Sequence, residues 1–129
     1  MALLIDTNVI MRYLVGDHAE FLAKSTSLFE AVETGETQIV ILDNVIMEAF
    51  FVLTKFYQLP KAEVIDDLKT ILSFAGVINH DKLEIIETLN LVLYKNIDFV
   101  DALLCVKSKL YDLELFSFDE KLVKRCQMT

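Results

Sequence analysis

Ala2-Leu3-Leu4-Ile5-Asp6-Thr7-Asn8-Val9-Ile10-Met11 is the stretch whose reading decides the fold. Four apolar residues meet an acid, two polar residues follow, and apolar character then resumes at helical spacing. That order predicts a buried strand, a turn and a helix. In an open parallel sheet the ligand crevice lies beyond the carboxyl ends of the strands, so Asp6 holds a position suited to chemistry. Asp and Asn are also favoured helix caps, and a capping role for Asp6 or Asn8 explains the same residues.

Working outward, residues 9–14 and 19–32 read as helices broken near Gly16-Asp17, with Gly35 ending the second. Residues 38–42 form a β-branched run, a second strand, and Asp43-Asn44 offers a cap for a helix over 45–57. Pro60 opens a further helix to about residue 74. Residues 76–79 give a weak third strand. Asp81 caps a helix to about residue 94, Asp98 starts another reaching 110 or 111, residues 113–118 supply a fourth strand, and 120–125 close the chain as a short helix. Strands alternating with helices imply parallel pairing and right-handed crossovers. The expected fold is α/β, a three-layer α/β/α sandwich with a mainly parallel central sheet. No repeat or linker interrupts residues 1–129, which read as a single domain.

The hydrophobic fraction is 54% and mean hydropathy is +0.45, which leaves apolar surface for a partner. A homodimer or a bound protein is expected, with residues 19–32 and 60–74 as the candidate faces. No apolar run reaches the roughly 20 residues of a bilayer span, and the opening residues lack the marks of a signal peptide, so a cytoplasmic protein is expected. Cys105 and Cys126 fit no paired-cysteine metal motif and are expected as reduced thiols. The net charge of −8 argues against broad coating of nucleic acid. It leaves room for a nuclease, because acids that hold metal add to the excess, and two divalent ions would halve it. Three glycines, Gly16, Gly35 and Gly76, cannot write a P-loop or a dinucleotide fingerprint. With no nucleophile elbow, and with His18 and His80 in turns, acyl transfer has no support.

Four acids occupy comparable places. Asp6 ends the first strand, Glu48 lies in the apolar helix after the second, Asp101 opens a late helix, and Asp119 ends the fourth strand. Glu48 is expected to be buried among Ile46, Met47, Ala49 and Phe50, where an unpaired carboxylate costs several kcal/mol. Two like charges ~4 Å apart repel by about 4 kcal/mol at an effective dielectric of 20, a cost that a divalent cation removes. An all-oxygen set without Cys or His suits Mg²⁺ or Mn²⁺. Such a site is suited to phosphodiester hydrolysis. Asp98, Asp43 and Asp81 are better read as caps.

Leu4-Ile5-Asp6-Thr7-Asn8-Val9, the helix-borne Glu48, Asp98-Phe99-Val100-Asp101-Ala102-Leu103 and Phe116-Ser117-Phe118-Asp119 resemble, in order and spacing, the four signature segments of PIN-domain nucleases. The chain is most similar to the small VapC-type toxins of toxin-antitoxin pairs. The resemblance implies a metal-dependent endoribonuclease using Mg²⁺ or Mn²⁺, dimerisation and inhibition by a cognate antitoxin. It implies Asp6, Glu48 and Asp101 as the principal metal-site acids, Asp119 completing the acidic pocket, Asn8 hydrogen-bonding within it, and Ser117 at a position that often carries a hydroxyl. For gripping the RNA backbone, Arg12 is the best placed of a few bases that include Lys55, Lys95 and Lys121. Two other readings stand beside this one: a catalytically silent PIN-like interaction module, and a metal-dependent nuclease or phosphatase acting on a substrate other than RNA.

Overall fold

The computed structural model describes residues 1–129. It forms two compact units, Met1–Lys82 and Leu83–Thr129. The first unit holds strand β1 (Leu3–Leu4), helices α1 (Thr7–Val15) and α2 (Ala19–Thr34), strand β2 (Ile39–Val40), helix α3 (Asp43–Phe51), a π-helical turn (Val52–Phe56) and helix α4 (Lys61–Leu72). Helix α5 (Lys82–Lys95) begins at the boundary, and α6 (Phe99–Leu110) and α7 (Glu120–Gln127) complete the second unit.

Every expected helix is present. Gly16 and Gly35 end α1 and α2 in the left-handed conformation, at φ 69° and 85°, where a glycine has no Cβ to clash. Pro60 occupies the cap position of α4. Helix α4 turns Val64, Ile65, Leu68, Ile71 and Leu72 inward. Its apolar face is therefore core and not the exposed surface expected of residues 60–74.

The sheet departs from expectation. It has two parallel strands, with Leu3 opposite Ile39 and Leu4 opposite Val40. The expected third strand contributes one parallel bridge, Ile39 to Val77. Residues 113–118 form no strand, and Phe116 and Phe118 are exposed. Strand β1 is not buried either: Leu3 and Leu4 are exposed, and only Ile5 beyond them is covered. A strand with one paired edge has a second neighbour on neither side chain nor backbone to shield it.

Two devices hold the end of β2 in place. Gly76 receives the Ile39 amide at 2.7 Å and donates to the Val32 carbonyl at 2.7 Å. A Cβ at Gly76 would lie 2.1 Å from the Thr37 carbonyl oxygen, so no other residue fits this approach. Beyond β2, the Asn79 side chain hydrogen-bonds to both backbone groups of Ile41.

In the second unit Cys105 of α6 and Cys126 of α7 are joined as a disulfide, which corrects the expectation of reduced thiols. Packing of α7 on α6 brings the two Cα atoms within 4.7 Å, well inside bonding range. Glu84 of α5 is buried and accepts from Lys107 Nζ at 2.8 Å and from the Tyr111 hydroxyl, which fastens α5 to α6. No helix is long and apolar enough to cross a membrane.

Candidate metal and nucleic-acid site

Asp6 follows Ile5, whose amide donates to the Val40 carbonyl at 3.1 Å, and so stands where the β1 backbone leaves the sheet. Its φ of −92° and ψ of 171° are extended, and its Oδ1 accepts from the Val9 amide at 3.3 Å. Asp6 is therefore the N-cap of α1. Capping occupies one carboxylate oxygen and leaves the other, on an exposed side chain, able to take a ligand.

Asp6, Asn8 and Arg12 lie along a groove of about 420 Å³. Arg12 is fixed there: its Nη1 donates to Asp17 Oδ1 at 2.9 Å, and its guanidinium carbon is 5.8 Å from the centre of the Phe21 ring. Tyr57 donates to the other Asp17 oxygen at 3.1 Å. The Arg12 hydrogen bond, aided by that of Tyr57, holds the Asp17 carboxyl below the usual carboxylate range. His18 caps α2 through Nδ1 and stacks on Phe21 with ring centres 4.2 Å apart.

Glu48 lies in α3 but is exposed, contrary to the expectation that it is buried. Ile46, Ala49 and Phe50 take the inward face, which turns Glu48 toward solvent despite the apolar residues around it in sequence. The desolvation cost expected of it does not arise. Glu48 makes no ion pair, and it is not among the residues lining the Asp6 groove.

In the second unit Asp101 is half-buried in the first turn of α6, where a carboxylate also suits the helix dipole. Asp98 is the N-cap of that helix by position, without a side-chain capping bond. Asp119 caps α7, its Oδ1 accepting from the Leu122 amide at 3.1 Å. The Ser117 hydroxyl accepts from the Asp119 amide at 3.0 Å and so fixes the backbone at that acid. Cys105 lies one helical turn after Asp101, and its bond to Cys126 ties that helix to the one Asp119 caps.

Within neither unit do three His, Cys, Asp or Glu side chains form a cluster ready to hold a metal. The donor chemistry nevertheless suits a hard cation. All four acids offer oxygen, and Asp6 and Asp119 each spend one oxygen on a cap. None of the four has a lysine or arginine partner.

Sequence reasoning missed the α2 wall of the groove, made by Phe21, Lys24, Ser25 and Leu28. Their i, i+3, i+4, i+7 spacing marks one helix face and was the available signal. Asp17, the anchor of Arg12, read only as part of a helix break.

Residues 3–127 match the PIN domain family, and the chain belongs to it. The PIN domain is generally a metal-dependent nuclease fold, which makes this chain a nuclease-type, hydrolase-type protein at that level. Neither a curated protein nor a solved structure matches the chain.

Proposed function

We propose that this PIN domain is a metal-dependent endoribonuclease of the VapC toxin type, with Asp6, Glu48, Asp101 and Asp119 as the carboxylates that hold Mg²⁺ or Mn²⁺. The observation that carries this reading is the match of residues 3–127 to the PIN domain family, in a chain whose Asp6, Glu48, Asp101 and Asp119 have no basic partner. A carboxylate kept without a counter-charge is a natural ligand for a cation from solution. The bound ion supplies an activated water and stabilises charge on the attacked phosphate. The chain's own part is positional: Asp6 and Asp119 are oriented by their caps, Ser117 holds the Asp119 backbone, and Arg12 presents a guanidinium to the RNA backbone.

The same reading carries the family's three-layer α/β/α arrangement, a cytoplasmic setting, a homodimer, and inhibition by a cognate antitoxin. The exposed Leu3, Leu4, Phe116 and Phe118 supply apolar surface for such partners.

The test is titration of Mn²⁺ and Mg²⁺ into the wild-type chain and Asp6→Asn, following melting temperature and cleavage of structured RNA in the same samples. Metal-dependent stabilisation and RNA cutting, both lost in Asp6→Asn, are expected. Metal-dependent cleavage retained by Asp6→Asn overturns the site, and absence of RNA cleavage by the wild-type chain overturns the nuclease reading.

A further inference from the structure

The groove beside Asp6 has an opposite wall that the four acids do not account for. We propose that this wall, Phe21, Lys24, Ser25 and Leu28 of α2 facing Asn8 and Arg12 of α1, is a subsite for one nucleotide of the substrate strand. The proposal rests on the nuclease reading for its place in the reaction, since Asp6 lines the same groove.

Four observations favour a nucleotide. The volume, about 420 Å³, falls within the range of small-ligand sites and suits a base with its sugar and phosphate. Leu28 gives the groove apolar surface, and Phe21, 44% exposed and stacked on His18, adds aromatic surface, so a flat base meets apolar contact there. Polar groups stand ready at its edges. Ser25 is only 6% exposed and lines the groove. Its hydroxyl can both donate and accept, as contact with a base edge or a ribose oxygen requires.

The fourth observation is charge. Arg12 and Lys24 outnumber Asp6 along this groove, which gives it a net positive lining in a chain of net charge −8. Arg12 is held in place by Asp17 yet has further N–H donors. Lys24 reaches Glu20 at 3.5 Å, with both side chains about 70% exposed, a contact loose enough to yield to a phosphate. An anion with a flat, partly apolar body fits this combination.

The probes are the four nucleoside 5′-monophosphates and inorganic phosphate, added without metal to the whole chain and followed by amide chemical shifts. Nucleotides are expected to shift α1 and α2 signals and to bind at least about fivefold more tightly than phosphate, by the worth of the base contacts. Ser25→Leu, which fills the groove, and Lys24→Glu, at a site too exposed to endanger folding, are each expected to weaken binding by about tenfold, the scale of one charge-assisted or packed contact. Lys24→Glu should also raise KM for RNA. Equal binding of phosphate and nucleotides, or nucleotide binding unchanged in Lys24→Glu, overturns the subsite. RNA cleavage without nucleotide binding removes the subsite alone. Nucleotide binding that both variants lose, in a chain that cuts no RNA, supports the subsite and removes the nuclease reading.

Discussion

The Asn79 side chain pairs with Ile41 as a neighbouring strand would: its Oδ1 accepts from the Ile41 amide at 2.9 Å and its Nδ2 donates to the Ile41 carbonyl. Ile41 is fully buried, and its amide and carbonyl take their partners from the half-buried Asn79 side chain. Asn79→Ala should destabilise the chain by about 2–4 kcal/mol, because two buried backbone groups lose their partners at once. Asn79→Asp keeps the acceptor but turns the donor into an anionic oxygen facing the Ile41 carbonyl and Asp81, and should cost at least as much. Urea denaturation of the three proteins checks the order.

Glu48 gives the cleanest separation of function from stability, because it is exposed and has no ion-pair partner. Glu48→Gln should change stability by no more than ~0.5 kcal/mol, as for other surface substitutions. Metal-dependent RNA cleavage should fall by about a hundredfold or more, the scale on which metal sites respond to altered ligation. A variant that cuts RNA at the wild-type rate would remove Glu48 from the site.

The Cys105–Cys126 disulfide closes a loop with a sequence separation of 21. Chain-entropy arguments give such a loop about 3 kcal/mol, or a melting temperature higher by roughly 10 °C in a chain of this size. Reductant should lower the melting temperature of the wild-type chain by that much. Cys126→Ser should start at the lower value and show no response to reductant.

Glu84 should govern part of the acid limb of stability. The Lys107 hydrogen bond, with that from Tyr111, holds its folded-state carboxyl below the usual value of 4.5, against the opposing effect of burial. A depressed folded pKa gives stability that is present above the unfolded-state value and is lost as pH falls through the lower folded one. Thermal melts from pH 6 down to pH 2 should fall more steeply below the ordinary glutamate value in the wild-type chain than in Glu84→Gln.

The helices were legible because local chemistry sets them: Gly16 and Gly35 supply left-handed ends, and Pro60 marks a start. The sheet was less so. The runs 38–42 and 113–118 are both rich in apolar residues, yet one yields a two-residue strand and the other none, since strand formation depends on a partner that composition does not specify. Glu48 shows the corresponding gap at the site. Its neighbours in sequence are apolar, but which helix face turns inward is decided by packing against other elements. The disulfide was hidden for a related reason: cysteines 21 positions apart meet only because α7 folds back on α6. Asp6 and Asp101 could be placed by spacing and each does lie at the start of a helix, whereas Asp119, expected to end a fourth strand, ends none and instead caps α7.

The bond between Cys105 and Cys126 also makes a covalent ring of everything between them, including the exposed stretch with Phe116 and Phe118. A protease that nicks that stretch leaves a chain in two pieces that still travel as one. The cut is invisible on a nonreducing gel and appears only when thiol is added. Until then Asp101 on one fragment and Asp119 on the other remain parts of the same molecule.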